Sequence, residues 1–363
     1  VGKLEEIAEK AGVDALVIGY EWNVFYFARL PRPGGSYILY VKGEVPKLLV
    51  PALDFWRASD TVKEYEVIPY AKYALPEFEA KLLTTPLPQY IKEHLMKSGV
   101  KKVGLDLGLL TQLTNKLSKE LADLEVVDIA NEILNLRAIK EEEELVLMKE
   151  AVNITEEALK KALPEIREGM KEYEVVALLE GHVRFLGSDG YAFETIVASG
   201  PNASYPHAVP TPRTLTEGDT VVIDLGARYG GYCADMTRTL IVGRVHHEIK
   251  KVIEAVNEAL WAATDAVAPG VKGSEVDSVA RNVLKKYGLS KYFIHSTGHG
   301  VGVEVHEKPR LAQKADEELK PGMAVTIEPG VYVPKKFGVR IENIVVVTKS
   351  GREVMNKLDT VFH

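Results

Sequence analysis

Cysteine is all but missing from this 363-residue chain, with Cys233 the only one. A single thiol excludes an internal disulfide framework, so stability must come from buried cores, and the usage fits a reducing cytoplasm. Long uninterrupted apolar runs are lacking too, which argues against a bilayer-spanning helix. Positive charge is not in excess: the formal net charge is −7, which argues against a nucleic-acid footprint. Glutamine is scarce, with only Gln89, Gln112 and Gln313, and beside abundant Lys and Glu this leans toward a heat-adapted source. No low-complexity segment occurs. The opening Val1-Gly2-Lys3-Leu4-Glu5-Glu6-Ile7 reads as an amphipathic helix and not as a secretion signal, and the missing initiator methionine suggests that the numbering starts inside the encoded protein.

What is present is ample core material, 46% hydrophobic residues over a length that suggests two domains. Residues 1–129 alternate short strands, such as Ala15–Ile18, Tyr37–Tyr40 and the run from Lys101, with helices such as Leu87–Lys97, and read as a small α/β domain. A helical stretch over Asn131–Lys140 forms a linker, residues 130–140, and residues 141–363 form the second domain. The acidic run Glu141–Glu144 opens a helix, where negative charge suits the N-terminal dipole. Helices over Glu143–Leu163 and Glu172–Leu186 then precede the strands.

Those strands carry the chemistry. Asp224, Asp235, His299, Glu328 and Glu342 each sit in a short apolar or glycine-punctuated segment where a buried charge is costly. Converging carboxylates without a counter-charge repel and drive their own protonation. Two divalent cations would neutralise them and need mainly oxygen ligands plus one imidazole. The pattern predicts a dinuclear metallohydrolase. Val221–Gly226 and Tyr232–Thr237, joined by the turn-forming Arg228–Gly231, predict a hairpin with two acids. Val325–Gly330 and Val339–Asn343 repeat the design, and this hairpin pair is the only internal repeat the sequence declares. One acid at a strand end is ordinarily a solvated cap; four in two matched hairpins are not. His299 lies among closely spaced glycines that permit tight backbone approach. His295, His306 and, from a proline-bounded loop, His207 are further candidates. Cys233 reads as structural, two residues before Asp235 and on its face of a regular strand.

At these residues the chain resembles the pita-bread metallopeptidases, in the prolidase and aminopeptidase P branch rather than the methionine aminopeptidases. The resemblance rests on Asp224 and Asp235 in IDLGA and ADMTRT, His299 in HSTGHGVG, Glu328 in TIEPGVY, Glu342 in GVRIEN, His207 in YPHAV and His306 in VHEKPR. It implies an α+β pita-bread catalytic domain behind the α/β N-terminal domain. It also implies two adjacent metals, with Asp224 chelating one, Asp235 and Glu342 bridging both, and His299 and Glu328 completing the other. Asn343 departs from the pattern, since many relatives carry a second acid there; the ligand itself is intact and a neighbouring charge changes. In such relatives the N-terminal domain helps form a homodimer and covers the active site. A loop near Arg29–Gly35 there reaches into the partner's site.

The activity the resemblance implies is that of an Xaa-Pro dipeptidase, a metal-dependent exopeptidase working through a metal-bridging hydroxide, with Glu328 relaying the proton to the leaving nitrogen. His207 and His306 would contact substrate or oxyanion, His295 the proline, and Arg310 the free carboxylate of a dipeptide, while Tyr332 and Arg340 orient the carboxylates. Alternatives are an Xaa-Pro aminopeptidase acting on longer peptides, a leucine- or alanine-type substrate without proline, and a non-catalytic binding module of the same fold. An oxygen-rich site favours Mn²⁺ or Co²⁺, with Zn²⁺ or Fe²⁺ as alternatives. The expected partners are a proline-containing dipeptide or short peptide and a second copy of the chain, with no nucleic acid and no membrane.

Overall fold

The computed structural model describes residues 2–107 and 112–362, with no side chains described for 112–115. The chain divides into two compact units, Val1–Leu136 and Arg137–His363.

The first unit is a six-stranded mixed sheet with the order β4-β3-β2-β1-β5-β6. The strands are β1 (Ala15–Ile18), β2 (Tyr37–Val41), β3 (Lys47–Pro51), β4 (Glu66–Tyr70), β5 (Lys102–Leu105) and β6 (Glu125–Asp128). Helices α1 (Gly2–Lys10), α2 (Glu21–Ala28), α3 (Phe55–Thr61), α4 (Leu87–Lys97) and α5 (Gln112–Glu120) accompany them. All four residues of β1 are buried because alternate side chains enter different cores: Leu16 and Ile18 one, Ala15 and Val17 the other. Helix α6 (Ala130–Ala138) leads into the second unit. It stops short of the predicted Lys140, because Ile139 bridges to Met323 and the Lys140 amide donates to the Gly322 carbonyl.

The second unit is built twice over. Helices α7 (Glu142–Ala162) and α8 (Glu172–Phe185) precede β7 (Gly190–Tyr191), β8 (Ile196–Ser199), β9 (Thr220–Leu225), β10 (Ala227–Tyr229), β11 (Tyr232–Cys233) and β12 (Met236–Ile241). Helices α9 (His247–Ala266) and α10 (Gly273–Lys286) precede β13 (Gly298–Gly300), β14 (Glu307–Leu311), β15 (Ala324–Ile327), β16 (Gly330–Val333), β17 (Phe337–Arg340), β18 (Asn343–Thr348) and β19 (Gly351–Val354). The first pair of helices shares a core with Val221, Ile223 and Met236; the second pair shares one with Val325, Ile327 and Val345. Glu141 caps α7 in a capping box with Glu144, so the acidic run does open that helix.

Each predicted hairpin is two stacked ladders with a break between them. β9 and β12 pair out to Leu225↔Met236, the ladder lapses over Gly226 and Ala234-Asp235, and β10 and β11 resume at Arg228↔Cys233 around a two-residue turn, Gly230-Gly231. β15 and β18 pair out to Ile327↔Asn343, and β16 and β17 resume at Gly330↔Arg340. Cys233 therefore does not share a regular strand with Asp235. The break turns its thiol to the Val303 carbonyl, and burial pushes it up to about 12.

Candidate metal centre

The breaks are where the carboxylates gather. Asp235, Glu328 and Glu342 all lie in residues that neither ladder uses, so their backbone is free to aim the side chains inward, and Asp224 is the penultimate residue of β9, opposite Thr237. The Glu342 amide donates to the Thr237 carbonyl, 3.0 Å, which draws the two breaks together. His299 enters from β13, and its neighbours are glycines for a steric reason: a Cβ at Gly298 would strike the Thr326 carbonyl, and one at Gly300 the Lys308 carbonyl.

Ligand atoms of Asp235, His299 and Glu342 fall within 4.8 Å of one another, all three residues buried. His299 Nε2 lies 3.2 Å from Glu328 Oε1 and 3.6 Å from Asp235 Oδ2. Arg340 donates to Asp224 Oδ2 at 2.7 Å and to the Tyr332 hydroxyl at 2.7 Å, and that hydroxyl lies 3.0 Å from His295 Nε2. Thr237 Oγ1 donates to Glu342 at 2.7 Å, and Thr326 Oγ1 to Glu328 at 3.3 Å. Thr237 and Thr326 escaped the sequence reading: a threonine in a strand is ordinary β-former, and only the fold brings each hydroxyl to an acid.

Burial and mutual repulsion push Asp235 well above the usual carboxylate range; burial and the charges of Glu328 and Asp224 do the same to Glu342. Asp224 is raised by burial despite Arg340. Glu328 differs. Burial works against its charge, but the hydrogen bond and charge of His299, with His295 and Arg340, hold it down to about 2. Asp224 Oδ1 is buried with no hydrogen-bond partner among the described residues. An orphaned carboxylate oxygen beside acids that cannot all ionise is a cation-seeking donor set, oxygen-rich with one imidazole, and it fits divalent metals.

A cavity of about 1210 Å³ opens over this cluster. All five candidate ligands line it, as do His207, His295, His306, Arg310 and Arg340; Tyr332 stands behind the wall, reached through Arg340 and His295. Among the described residues the Arg310 guanidinium makes no hydrogen bond or ion pair, leaving its donors to whatever fills the cavity. The His306 ring packs edge-on against His299, centroids 4.4 Å apart, and is pushed down to about 4 by burial and by the charges of His299, Arg310 and His207. Burial likewise lowers His295. Among the described residues, no helix is long and apolar enough to cross a membrane.

Comparison with known proteins identifies the family. Residues 146–349 match metallopeptidase family M24, and residues 1–139 match the creatinase/prolidase N-terminal domain. An Xaa-Pro dipeptidase from Pyrococcus horikoshii is 38% identical over 360 residues, covering 99% of this chain and 97% of that protein. The solved Xaa-Pro dipeptidase from Bacillus anthracis superposes with a TM-score of 0.90 at 32% identity, over 99% of this chain and 98% of its own. An X-Pro aminopeptidase from Thermotoga maritima gives 0.87 at 32%, over 98% and 99%. The pita-bread architecture expected from the motifs is the one found, and family membership carries with it the use of divalent metal. The chain belongs to metallopeptidase family M24, with the creatinase/prolidase N-terminal domain in front of its catalytic unit.

Proposed function

We propose that this protein is an Xaa-Pro dipeptidase, hydrolysing dipeptides that end in proline. The observation that carries the choice is Arg310: a guanidinium with no partner among the described residues, on the wall of the metal cavity, is suited to hold the free carboxylate of a dipeptide bidentately. Asp224, Asp235, His299, Glu328 and Glu342 would hold two divalent cations. Mn²⁺ or Co²⁺ suits so oxygen-rich a set, and Zn²⁺ or Fe²⁺ is the alternative. Bound there, such cations supply an activated water and polarise the scissile carbonyl.

The chain's own groups do the rest. Glu328 takes the proton of the attacking water and passes it toward the leaving nitrogen. That nitrogen is tertiary in a bond preceding proline and departs only once protonated, so this relay matters more than in ordinary peptides. His207 and His306 hydrogen-bond the substrate or its developing oxyanion. His295, whose ring meets Phe293 edge-on at 5.1 Å and Tyr332 at 5.4 Å, forms the wall for the proline ring. Arg340, braced by Tyr332, fixes Asp224.

The size of the cavity favours a second reading, an Xaa-Pro aminopeptidase: about 1210 Å³ exceeds the roughly 300–1,000 Å³ of ordinary small-ligand sites. Hydrolysis of Met-Pro, Met-Pro-amide and Met-Pro-Gly by metal-stripped protein, with and without Mn²⁺ or Co²⁺, separates the two. The expected result is metal-dependent cleavage of Met-Pro alone, with Arg310→Ala raising KM by roughly ten- to a hundredfold, as loss of a charged hydrogen-bond pair should. Cleavage of the amide and tripeptide would make it an aminopeptidase and leave Arg310 without this role.

The N-terminal unit is proposed to join two copies and cover the site. Its Leu53 and Trp56 are exposed, 97% and 53%, next to Arg57, which donates to the Pro31 and Arg32 carbonyls and so holds the loop Arg29–Gly35 in a defined shape. Light scattering on the metal-loaded protein should give twice the chain mass; a monomer would end that proposal.

A further inference from the structure

Residues 200–211 carry His207 to the cavity, yet the segment is poorly equipped to hold itself in place. Pro201, Pro206 and Pro210 have no amide to donate, and its only regular element is a short 3₁₀ turn over Gly200–Ser204. Beneath it lies Glu172, the first residue of α8, fully buried and absent from the cavity lining. One carboxylate oxygen accepts from the Ser199 amide and hydroxyl, each 2.7 Å. The other accepts from Asn202 Nδ2 at 2.8 Å and from the Thr211 amide and hydroxyl at 2.8 and 2.7 Å. The two loop anchors straddle His207, Asn202 before it and Thr211 after.

Among the described residues no cation shares this carboxylate: Arg213, the guanidinium close by, bonds Ser199 Oγ and Asp219, each at 2.6 Å. Nor does α8 need Glu172 in order to start. Lys171-Glu172-Tyr173-Glu174-Val175 has a counterpart in Lys272-Gly273-Ser274-Glu275-Val276, and both helices begin the same way, with Glu174 or Glu275 accepting the preceding lysine amide at 2.8 Å. Where α8 has Glu172, α10 has Gly273, whose missing Cβ lets the Arg310 carbonyl approach. The carboxylate therefore belongs to the loop.

We propose that Glu172 is a positioning residue that acts through its hydrogen bonds to Ser199, Asn202 and Thr211 to hold His207 over the metal cavity. The inference rests on the role given to His207 above. Its test is a double-mutant cycle on the Mn²⁺-loaded enzyme with Met-Pro, combining Glu172→Gln with His207→Ala, alongside hydrogen exchange over 200–211. Glu172→Gln sets an amide group against loop donors and should lower kcat/KM by about tenfold, but by less than about twofold once His207 is already alanine. Exchange should quicken over 200–211 and stay unchanged in α8. If Glu172→Gln does not fold, Asn202→Ala removes one donor and runs through the same cycle. Equal losses in both backgrounds, unchanged exchange in the loop, or a silent His207→Ala beside a slow Glu172→Gln would overturn the inference. Should the wild type itself fail to cleave Met-Pro, the dipeptidase reading fails, while faster exchange confined to 200–211 would still support Glu172 as the anchor.

Discussion

The two halves of the catalytic unit share a frame and differ in how they hold their histidines. The frame is close: the Gly169 amide bonds the Leu215 carbonyl as Gly270 bonds Leu319, and Leu215 returns to Met170 as Leu319 returns to Val271. Asp224 and Glu328 stand at matching places in Gly218-Asp219-Thr220-Val221-Val222-Ile223-Asp224 and Gly322-Met323-Ala324-Val325-Thr326-Ile327-Glu328. The anchors do not match. The His207 loop hangs from neutral donors on one carboxylate. The segment with His306 is held by charge: buried Glu307 accepts from Arg137 at 2.6 Å and Lys140 at 3.0 Å, and Arg137 also bonds Glu304 at 2.6 Å. A duplicated backbone fixes where the candidate ligands go, while unduplicated side chains decide how firmly each histidine-bearing segment is held.

By that contrast, Glu307→Gln should damage the fold more than Glu172→Gln. It strands the Lys140 ammonium, which is 5% exposed, and removing one member of such a buried cluster costs about 3–5 kcal/mol. Glu172→Gln leaves only neutral donors badly matched, about 1–3 kcal/mol. Denaturant titration of both variants, each metal-loaded, checks the ranking; a larger loss at Glu172 would break the comparison.

Acid should sharpen it. Burial opposes the charge of Glu307, but Lys140 and Arg137 hold it down to about 2, against 4.5 for an ordinary glutamate. A depressed carboxylate stabilises the fold fully above its unfolded value, and that contribution drains away as pH falls through the folded one. The stability gap between wild type and Glu307→Gln, measured on metal-free protein, should therefore be constant above about pH 5 and shrink toward pH 2, by on the order of 3 kcal/mol. A gap independent of pH would mean that the clamp is not ionic.

The sequence displayed the candidate metal centre better than the scaffold that aims it. Asp224, Asp235, Glu328 and Glu342 are legible because an acid in a β-branched run is costly and must be explained. The break in each ladder is not: Ala234-Asp235 and Ile341-Glu342 look like continuous strand, and only the registers reveal that pairing lapses there. The repeat runs further back than the hairpins, into α8 and α10, where it is carried by a lysine, a glutamate and a valine among unlike residues. Glu172 and Asp277 are hidden in the sequence for a related reason. An acid in the first turns of a helix normally faces water and the dipole. Asp277 instead accepts from the Thr297 amide and hydroxyl, at 3.1 and 2.9 Å, and steadies the His295 segment.

The smallest effects should come from the two threonines that serve the candidate metal acids, one from each half. Thr237 donates to Glu342 at 2.7 Å, and Thr326 to Glu328 at 3.3 Å. A hydroxyl donated to a carboxylate favours the ionised form that a cation requires, and the shorter bond should do so more strongly. Thr237→Val, which keeps the shape and removes the donor, should weaken Mn²⁺ binding by about tenfold, at the lower edge of what removing a ligand's hydrogen-bond partner does. Thr326→Val should change it by less than about threefold, since His299 remains beside Glu328 at 3.2 Å. Calorimetric Mn²⁺ titration of the two variants orders them without reference to turnover. The reverse order would place the tighter hold on the metal in the second half and contradict the bond lengths that distinguish the two.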